Sequence, residues 1–498
     1  MALGPGATMT DQKARPRPLA DDRSSIPSYD DVVAVEEVPV RVSPYMLERG
    51  PIPALPSWQV MTSDYTSRSF HDLEMERLWP RSWQWACRTN DIPSAGDYVE
   101  IQVARRSILV VRDGSGGIHA FINACRHRGT ALAEGAGHRD CFVCPFHGWT
   151  YDIDGAIRYV PARWDFDYLS DADASLKPVR VDQFDGWVFV NLEEDAPPLR
   201  DHLGDTVVRH FLVHPSAAMW KRYHYGIRIA CNWKVAAEAF MELYHISRTH
   251  PTLAPYTGDL QSMYDSYGLH HRLRVVNGVS SLIGGNEFTE QEILDAALSI
   301  NKAFHGDDIA DDEGPSLTIP DGSTARDLLA GMIRDQWTGN GVDLSNVSNS
   351  ELIDTPLYMV FPNFMTFRGP GGTIGYRFLP DPDDHNACTY EFFYLEPIPT
   401  GKPLPKDTPL TMVPDNARFV DYPDTGALGF LIDQDVANCR LAQKGLYGID
   451  AVNLGESIEG LIAVFHRNLR EFMAVGEQGS LTASPTGSRT LESIPATS

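Results

Sequence analysis

The sequence predicts an α+β protein of two domains, an all-β domain followed by a larger domain that mixes helices with antiparallel strands. Three observations lead to this prediction. The chain has 498 residues, more than one hydrophobic core usually holds. Residues 83–192 contain short apolar or alternating segments between turn signals such as Asp154-Gly155, a pattern typical of strands. Beyond Pro197, helical periodicity and strand-like segments occur together.

The chain is expected to have four consecutive parts. The first is rich in Pro, Asp, Ser and Arg with little periodicity, which predicts a mostly disordered leader. The second is helical, since Phe70 and Leu73 fall on one apolar face, and it should pack on the larger domain. The all-β domain and the larger domain follow, with a disordered tail after about residue 478. In chain order, the predicted parts are 1–45, 46–82, 83–195 and 196–498.

Individual elements are predicted from periodicity and from turn residues. In the all-β domain, the strand candidates are 99–103, 107–111, 118–122 and 186–191. In the larger domain, the strands of a predicted antiparallel meander are 357–361, 373–379 and 389–395. The helix candidates there are 233–245, 289–304, 323–337 and 455–475. The acidic segment 305–322 is expected to form a surface loop.

Composition and charge limit the classes of function. The chain is 43% hydrophobic without an apolar run of about 18 residues, and its start lacks the layout of a secretory signal. We therefore expect a cytoplasmic protein with no spanning helix. The net charge of −25 makes nucleic acid an unfavourable partner. Seven cysteines, an odd number over a long chain, indicate reduced thiols available to bind metal rather than a disulfide framework.

Two short segments each pair one cysteine with one histidine. The first contains Cys125 and His127, and the second contains Cys144 and His147. Two Cys and two His are the ligands of a Rieske-type [2Fe–2S] cluster, in which the cysteines hold one iron and the histidines the other. A zinc site is the alternative, but zinc sites usually group Cys with Cys and His with His. We therefore predict a Rieske cluster on these residues, and we leave out Cys141 because choosing it would orphan Cys125.

A second group of ligand types follows in the larger domain. His245 and His250 lie five positions apart. Two histidines and a carboxylate on one face of an iron, with the other positions open, form the facial triad of non-haem Fe(II) oxygenases. On an ideal helix this spacing separates two side chains by about 140°, so both reach one metal only if the helix ends or distorts between them. Taken alone, such a pair more often reflects packing on an amphipathic helix.

Together the two groups resemble one family, the α subunits of Rieske non-haem iron oxygenases, or ring-hydroxylating oxygenases. The resemblance runs from about Trp83 to Met473. It is carried by the motifs C-R-H-R-G and C-P-F-H-G-W, by N-W-K, E-L-Y-H and H-P, and by a looser stretch that begins at Asp433. The resemblance implies that the larger, catalytic domain has an antiparallel sheet wrapped around helices, as in helix-grip (START-like) folds.

The resemblance also implies a mononuclear iron site. His245 and His250 would bind this iron, and a carboxylate from late in the chain would be the third ligand. Asp435 is favoured for that position, because Asn438 follows it as in the family pattern. Asp433, two residues earlier, is the competing candidate.

Glu242 falls where the family places a bridging acid. The resemblance implies that this side chain joins His245 to a cluster histidine, here His147, of a neighbouring subunit. A capping or salt-bridging glutamate is the alternative. Many dioxygenases have Asp at this position, and Glu is more similar to branches that act on quaternary ammonium compounds. Ala239 also replaces an Asn that is frequent in the family, and both departures concern the reaction subtype.

The activity implied is that of a terminal oxygenase, which uses O2 and external electrons to oxygenate a small organic, aromatic substrate. Dihydroxylation, hydroxylation and oxidative dealkylation all remain open. The alternatives are a Rieske electron-transfer protein without oxygenase activity and a monooxygenase or demethylase of a quaternary ammonium compound. Because no G-x-G-x-x-G motif follows a predicted strand, electrons should come from a separate NAD(P)H-dependent reductase, with or without a ferredoxin.

A homotrimer, or an α3β3 assembly with a small β subunit, is further implied. Pocket walls in the family come from residues beside the iron helix and from the C-terminal sheet. If Arg368 faces this pocket it could pair a substrate carboxylate, although an outward-facing arginine is more common. The candidate pocket residues are Phe240, Met241, Phe361, Asn363 and Phe367.

Overall fold

Three parts follow one another along the chain. The computed structural model describes residues 26–34, 40–285, 288–305, 317–398 and 401–474. The first part is an N-terminal segment of short elements. These elements are α1 (Tyr29–Ala34), α2 (Pro44–Leu47), β1 (Gln59–Met61), α3 (Ser63–Thr66) and α4 (Arg68–Arg77).

The N-terminal segment packs on the catalytic domain. Glu74 of α4 accepts a hydrogen bond from the ammonium group of Lys234 at 2.6 Å, and both side chains are fully buried. β1 pairs antiparallel with the strand Ala451–Asn453, near the end of the chain. The predicted helical stretch is divided in two, because the side chain of Ser67 accepts the N–H of Phe70 and begins α4 as a separate helix.

Part of the predicted leader is ordered. Tyr29 of α1 is fully buried in a cluster with Met46 and Val276, and the guanidinium group of Arg274 lies over its ring at 5.0 Å. The prediction of disorder was therefore wrong for Tyr29–Ala34, because its few apolar side chains are buried against the catalytic domain. The rest of that prediction, and the predicted tail, fall mainly on 1–25, 35–39 and 475–498, which lie outside the described residues.

The all-β domain is built from two antiparallel sheets. Seven strands form one sheet in the order β2-β11-β10-β5-β4-β3-β6, and three form the other in the order β7-β8-β9. The four predicted strands are confirmed, whereas the three-residue strands were too short to show alternation. The elements are β2 (Gln84–Arg88), β3 (Asp97–Val103), β4 (Arg106–Arg112), β5 (Ile118–Ile122), β6 (Ala136–His138), β7 (Cys141–Val143), β8 (Thr150–Asp152), β9 (Ile157–Tyr159), α5 (Asp171–Ala174), β10 (Pro178–Phe184) and β11 (Trp187–Asn191).

The catalytic domain is an eight-stranded sheet packed against helices. The strand order is β13-β14-β15-β16-β17-β18-β12-β19, and only the β12–β19 pair is parallel. Helices α7, α12 and α13 pack together at the sheet, which confirms the predicted fold class. The elements are α6 (Leu199–Phe211), β12 (Met219–Ile229), α7 (Trp233–Glu238), α8 (Ile246–Thr249), β13 (Thr257–Tyr267), β14 (His270–Asn277), α9 (Glu290–His305), α10 (Ala325–Gly339), α11 (Asn349–Ile353), β15 (Thr355–Val360), β16 (Phe364–Phe367), β17 (Thr373–Pro380), β18 (Cys388–Pro397), β19 (Thr411–Val413), α12 (Gly426–Leu446), β20 (Ala451–Asn453) and α13 (Gly460–Ala474).

Three of the four predicted helices are confirmed as α9, α10 and α13. The fourth, 233–245, was wrong in its second half, because α7 ends at Glu238 and a loop follows. The 21-residue helix α12 was not predicted, since Gly426 and Gly429 weaken its helical pattern. Most of the predicted surface loop 305–322 lies outside the described residues. Among the helices that the structure does describe, none is long and apolar enough to cross a membrane.

Buried ion pairs join the all-β domain to the catalytic domain. Arg88 of β2 pairs with Asp407 at 2.9 Å, with both side chains fully buried. Arg368 pairs with Asp185 at 2.8 Å and donates to the hydroxyl of Ser216 at 2.7 Å. Removing one partner of such a pair costs about 3–5 kcal/mol, because the other charge is left buried and uncompensated. The two domains are thereby fixed relative to each other.

Candidate metal centres

The four residues predicted to bind the cluster lie on two loops of the same form, one after β5 and one between β7 and β8. In each loop the backbone N–H of a glycine donates to the carbonyl of the cysteine four residues earlier. Gly129 donates to Cys125 at 2.9 Å, and Gly148 donates to Cys144 at 3.0 Å. Both glycines have positive φ, 79° and 75°, which side chains with a Cβ atom adopt at a cost. The glycines of the two motifs, Gly129 and Gly148, are therefore the residues that these turns favour.

The two loops bring thiols to thiols and imidazoles to imidazoles. Cys125 and Cys144 are both buried and lie within hydrogen-bonding reach of each other. The ring centroids of His127 and His147 are 4.6 Å apart, and the ring of His147 is exposed. Within the described part of the chain, Nδ1 of His127 is buried and has no hydrogen-bond partner. This donor set fits a Rieske cluster, in which paired imidazole nitrogens coordinate one iron.

Hydrogen-bond donors surround the two sulfur atoms. The hydroxyl of Tyr151 lies 3.2 Å from Sγ of Cys125. Burial disfavours the thiolate of Cys144, but the backbone N–H groups of Phe146 and His147 outweigh it and lower the pKa of this thiol. Donors of this kind stabilise charge on cluster sulfurs and tune the reduction potential. Cys141 lies apart from them in β7, half-buried.

His245, His250 and Asp435 come together in the catalytic domain. His245 precedes the single turn of α8 and His250 ends it, so the two rings face each other with centroids 5.2 Å apart. Oδ1 of Asp435, on α12, lies 2.9 Å from Nε2 of His250 and 3.8 Å from Nε2 of His245. The three ligand atoms lie within 4.8 Å of one another. Two imidazoles and one carboxylate so placed fit a ferrous iron with open positions.

Each of these two imidazoles also accepts or donates a hydrogen bond at Nδ1, the ring nitrogen that does not face Asp435. Oε1 of Glu242 lies 2.5 Å from Nδ1 of His245, and Oε1 of Gln434 lies 2.8 Å from Nδ1 of His250. An acceptor at Nδ1 keeps the proton there and leaves the Nε2 lone pair free for a metal. Gln434 was not predicted, because its contact with His250 joins parts of the chain that are distant in sequence.

Asp433, the competing candidate, faces away from the two histidines. Its carboxylate accepts the backbone N–H groups of Phe419 at 2.8 Å and of Val420 at 3.1 Å. Two positions along a helix rotate a side chain by about 200°, so Asp433 and Asp435 serve different faces of α12. The geometry therefore favours Asp435 as the third ligand.

A cavity of about 350 Å³ lies beside the three ligand atoms, which form part of its wall. Phe240 and Phe367, two of the predicted pocket residues, line this cavity. The remaining wall is mostly aliphatic and comes from β14, β15, β17 and helices α9, α10 and α12. The site therefore combines metal-ligating side chains with a mostly apolar cavity large enough for an organic molecule.

The other three predicted pocket residues do not line this cavity. Met241 and Phe361 are buried in the hydrophobic core beside a separate small void. Asn363 is buried, and its side-chain N–H donates to the carbonyl of Phe378 at 2.9 Å. Arg368 neither faces the cavity nor points outward, since it forms the buried interdomain pair described above.

Comparison with known proteins gives relatives over part of the chain. The large subunit of anthranilate 1,2-dioxygenase from Acinetobacter baylyi is 36% identical over 39% of this chain and 42% of its own length. The oxygenase subunit of glycine betaine monooxygenase from Pseudomonas aeruginosa is 32% identical over 38% of this chain and 44% of its own length. The matched region thus spans about two fifths of each of these relatives.

Solved structures of low identity share the fold over most of the chain. A quaternary ammonium Rieske monooxygenase in complex with L-carnitine has a TM-score of 0.58 at 17% identity, covering 83% of this chain and 95% of its own. Naphthalene 1,2-dioxygenase from Rhodococcus sp. bound to indole has a TM-score of 0.57 at 20% identity, covering 84% of this chain and 95% of its own.

The family matches cover both domains. Residues 82–170 match the Rieske [2Fe-2S] domain, which agrees with the two loops and the strands around them. Residues 216–475, more than half of the chain, match the catalytic domain of the ring hydroxylating alpha subunit, a domain that binds mononuclear iron in this family. The chain therefore belongs to the family of ring-hydroxylating oxygenase α subunits and carries a Rieske [2Fe–2S] domain ahead of its catalytic domain.

Proposed function

We propose that this chain is the terminal oxygenase of a multicomponent system, which uses O2 and external electrons to oxygenate a small organic, aromatic substrate. One observation carries the proposal: His245, His250 and Asp435 form part of the wall of a large apolar cavity. The open positions of an iron held there would face a bound organic molecule. An electron carrier needs no such cavity, so the arrangement favours oxygenation over electron transfer alone.

In this proposal the four loop residues hold the cluster, and the two histidines and Asp435 hold the ferrous iron. When bound, the cluster supplies single electrons and the iron supplies an open position at which O2 is reduced. Glu242 and Gln434 orient the imidazoles through Nδ1. The rings of Phe240 and Phe367 exclude water and hold the substrate beside the iron site.

The stoichiometry separates the possible reactions. Each turnover consumes O2, two electrons and two protons. Dihydroxylation places both oxygen atoms in the product, whereas hydroxylation or oxidative dealkylation places one atom there and releases the other as water. The relatives include both dioxygenases and a monooxygenase, so both outcomes are retained.

A single-turnover experiment with isotopic oxygen tests the proposed activity. Fully reduced protein, mixed with a candidate aromatic substrate and ¹⁸O2, is expected to give an oxygenated product that contains ¹⁸O, measured by mass spectrometry. Two labelled atoms would identify dihydroxylation, and one would identify monooxygenation. Oxidation of the cluster without labelled product, for every substrate that binds, would contradict the oxygenase proposal.

The proposed partners are a NAD(P)H-dependent reductase, with or without a ferredoxin, and further copies of this chain in a cytoplasmic homotrimer or α3β3 assembly. The exposed ring of His147 supports direct approach of another protein to the cluster. Because the chain has no predicted nucleotide fingerprint, reducing equivalents would enter through such a contact.

We further propose that Glu242 bridges the two redox centres across a subunit contact. One carboxylate oxygen already holds Nδ1 of His245, and the other accepts the backbone N–H groups of Tyr244 and His245. A carboxylate has about four lone-pair sites, so one remains for the ring N–H of His147 of the partner subunit. The neighbouring Tyr244 is 51% exposed, which leaves this surface accessible to a second protein.

Glu242→Gln is expected to leave both iron centres bound and to lower steady-state turnover by at least about a hundredfold, the scale of a lost charged bridge of a few kcal/mol. The amide oxygen of glutamine still accepts the Nδ1 proton of His245, so the iron site keeps its orientation. Metal analysis and the rate of cluster reoxidation by O2 with substrate measure the two effects. The control is Glu459→Gln, a half-buried carboxyl near Glu242 that accepts the N–H of Gly455 and contacts neither iron-site histidine. Wild-type turnover in Glu242→Gln would disprove the bridge.

A further inference from the structure

We propose that the cavity selects an uncharged, largely hydrocarbon molecule of two or three fused rings, and that Tyr256 donates a hydrogen bond to a hydroxyl or carbonyl oxygen on it. The inference rests on the proposed function, because it takes this cavity as the place where substrate is oxygenated. It goes further by assigning the charge, the size and one polar contact of that substrate.

The cavity wall, as far as the structure describes it, offers no cation to a charged substrate. No Lys or Arg lines the cavity within the described residues. The two carboxylates at the wall, Glu242 and Asp435, are already engaged with His245 and His250. A substrate carboxylate would therefore lose its water without gaining a cation, which is strongly unfavourable.

Two buried arginines, Arg326 and Arg368, form ion pairs away from the cavity. Arg326 lies on α10, the helix that contributes Leu329 and Ile333 to the cavity, but it pairs with Asp354 at 2.7 Å. Arg368 pairs with Asp185 instead of facing the cavity. A quaternary ammonium substrate is disfavoured as well, because Asp435 is engaged with His250 and the proposed subunit bridge uses the remaining site of Glu242. An uncharged substrate is the remaining class.

The volume of the cavity limits the size of the substrate. An apolar cavity of about 150 Å³ holds one benzene molecule. At about 350 Å³, this cavity is more than twice that size, so it accommodates two to three fused rings. Aliphatic side chains such as Leu253, Leu357 and Ile374 make up most of its wall, which suits flat hydrocarbon surfaces.

Four polar side chains line one wall of the cavity. Thr257, Asn277 and Thr355 all line the cavity, but they satisfy one another: Thr257 donates to Asn277 at 3.2 Å, and Asn277 donates to Thr355 at 3.3 Å. Tyr256 lines the same wall, packed against α9 and α10, and its hydroxyl has no hydrogen-bond partner among the described residues. Burial raises the pKa of this hydroxyl, so it stays protonated and serves as a donor. A neutral oxygen on the substrate is the partner that it lacks.

Equilibrium dialysis of the reduced, iron-loaded protein under nitrogen tests the proposal. The probes share one ring system: naphthalene, 2-naphthol, 2-naphthoate and 2-naphthyltrimethylammonium. The two neutral compounds are expected to bind, with 2-naphthoate and the ammonium compound at least about tenfold weaker. Tyr256→Phe should weaken the binding of 2-naphthol by about five- to tenfold, because it removes one neutral hydrogen bond. The affinity for naphthalene should change by less than about twofold. Tyr267→Phe, the same change at a tyrosine outside the cavity, should alter neither.

Tighter binding of a charged probe, no binding of either neutral probe, or unchanged 2-naphthol affinity in Tyr256→Phe would overturn the inference. Failure of the proposed function would give a different result. In that case the neutral probes bind, yet no ¹⁸O enters them in a single turnover. Conversely, ¹⁸O transfer to a carboxylate substrate with tight binding would uphold the oxygenase and overturn the inferred substrate class.

Discussion

Cys144→Ala is expected to abolish the [2Fe–2S] cluster, and with it all turnover driven by external electrons. Cys144 is buried next to Cys125, and the N–H groups of Phe146 and His147 already stabilise its thiolate. Cys141, the nearest other thiol in the sequence, lies on the strand β7 that precedes the second loop and is only half-buried. Iron and acid-labile sulfide content, together with the visible absorption of the purified protein, measure the effect.

Cys141→Ala is the matched control for this experiment, since it removes a half-buried thiol three positions from Cys144. It should keep the full cluster content and the brown colour of the protein. A protein that retains its cluster in Cys144→Ala, or loses it in Cys141→Ala, would show that the ligand set is wrong. Stoichiometric zinc without labile sulfide in the unaltered protein would support the zinc alternative instead.

Asp435→Ala is expected to remove the mononuclear iron while leaving the cluster intact. Losing a residue that only orients a metal ligand typically costs about 10–100-fold in affinity, and losing a ligand costs more. Oδ1 of Asp435 lies within 4 Å of Nε2 of both histidines, at 2.9 Å and 3.8 Å, and among the described residues no other carboxylate completes a metal-ligand group with them. Substrate oxygenation should fall to background. Total iron relative to labile sulfide, and product formation in a single turnover, check both expectations.

Asp433→Asn is the control that separates the two candidate carboxylates. An asparagine oxygen can still accept the N–H groups of Phe419 and Val420, which Asp433 binds in the structure. This variant should therefore retain the mononuclear iron and its activity. Loss of iron in Asp433→Asn with retention in Asp435→Ala would reverse the assignment.

The cluster loops were predictable from the sequence because all four side chains are local to two short turns. Each turn passes through positive φ at a glycine, Gly129 or Gly148, so the form of the turn can be inferred from the motif itself. The surrounding strands were predictable for a similar reason, since alternation is a local signal. Strands of three residues, such as β7, carry too little of that signal to be recognised.

The iron site was only partly predictable, because it depends on contacts between distant parts of the chain. The spacing of His245 and His250 indicated a break in the helix, but α7 ends earlier, at Glu238. Gln434 was missed because α12 itself was missed, and only the packing of α12 against α8 places its side chain on His250. Choosing between Asp433 and Asp435 likewise required the structure, which shows the face of α12 on which each side chain lies.

The cavity was the least predictable feature. Phe240 and Met241 are neighbours in a loop, yet only Phe240 lines the cavity, whereas Met241 enters the core. Sequence alone does not determine which of two apolar neighbours faces a void, because both choices bury similar surface. Arg368 was equally ambiguous, since its partner Asp185 belongs to the other domain.

The EPR spectrum of anaerobically purified, dithionite-reduced protein, recorded with and without nitric oxide, reports on both iron centres at once. We expect a Rieske-type signal, together with a high-spin iron–nitrosyl signal that shifts when an uncharged ring compound occupies the cavity. A Rieske signal with no nitrosyl signal after iron reconstitution would show that the proposed oxygenase site is absent. It would identify instead an electron-transfer protein in which His245, His250 and Asp435 hold no iron.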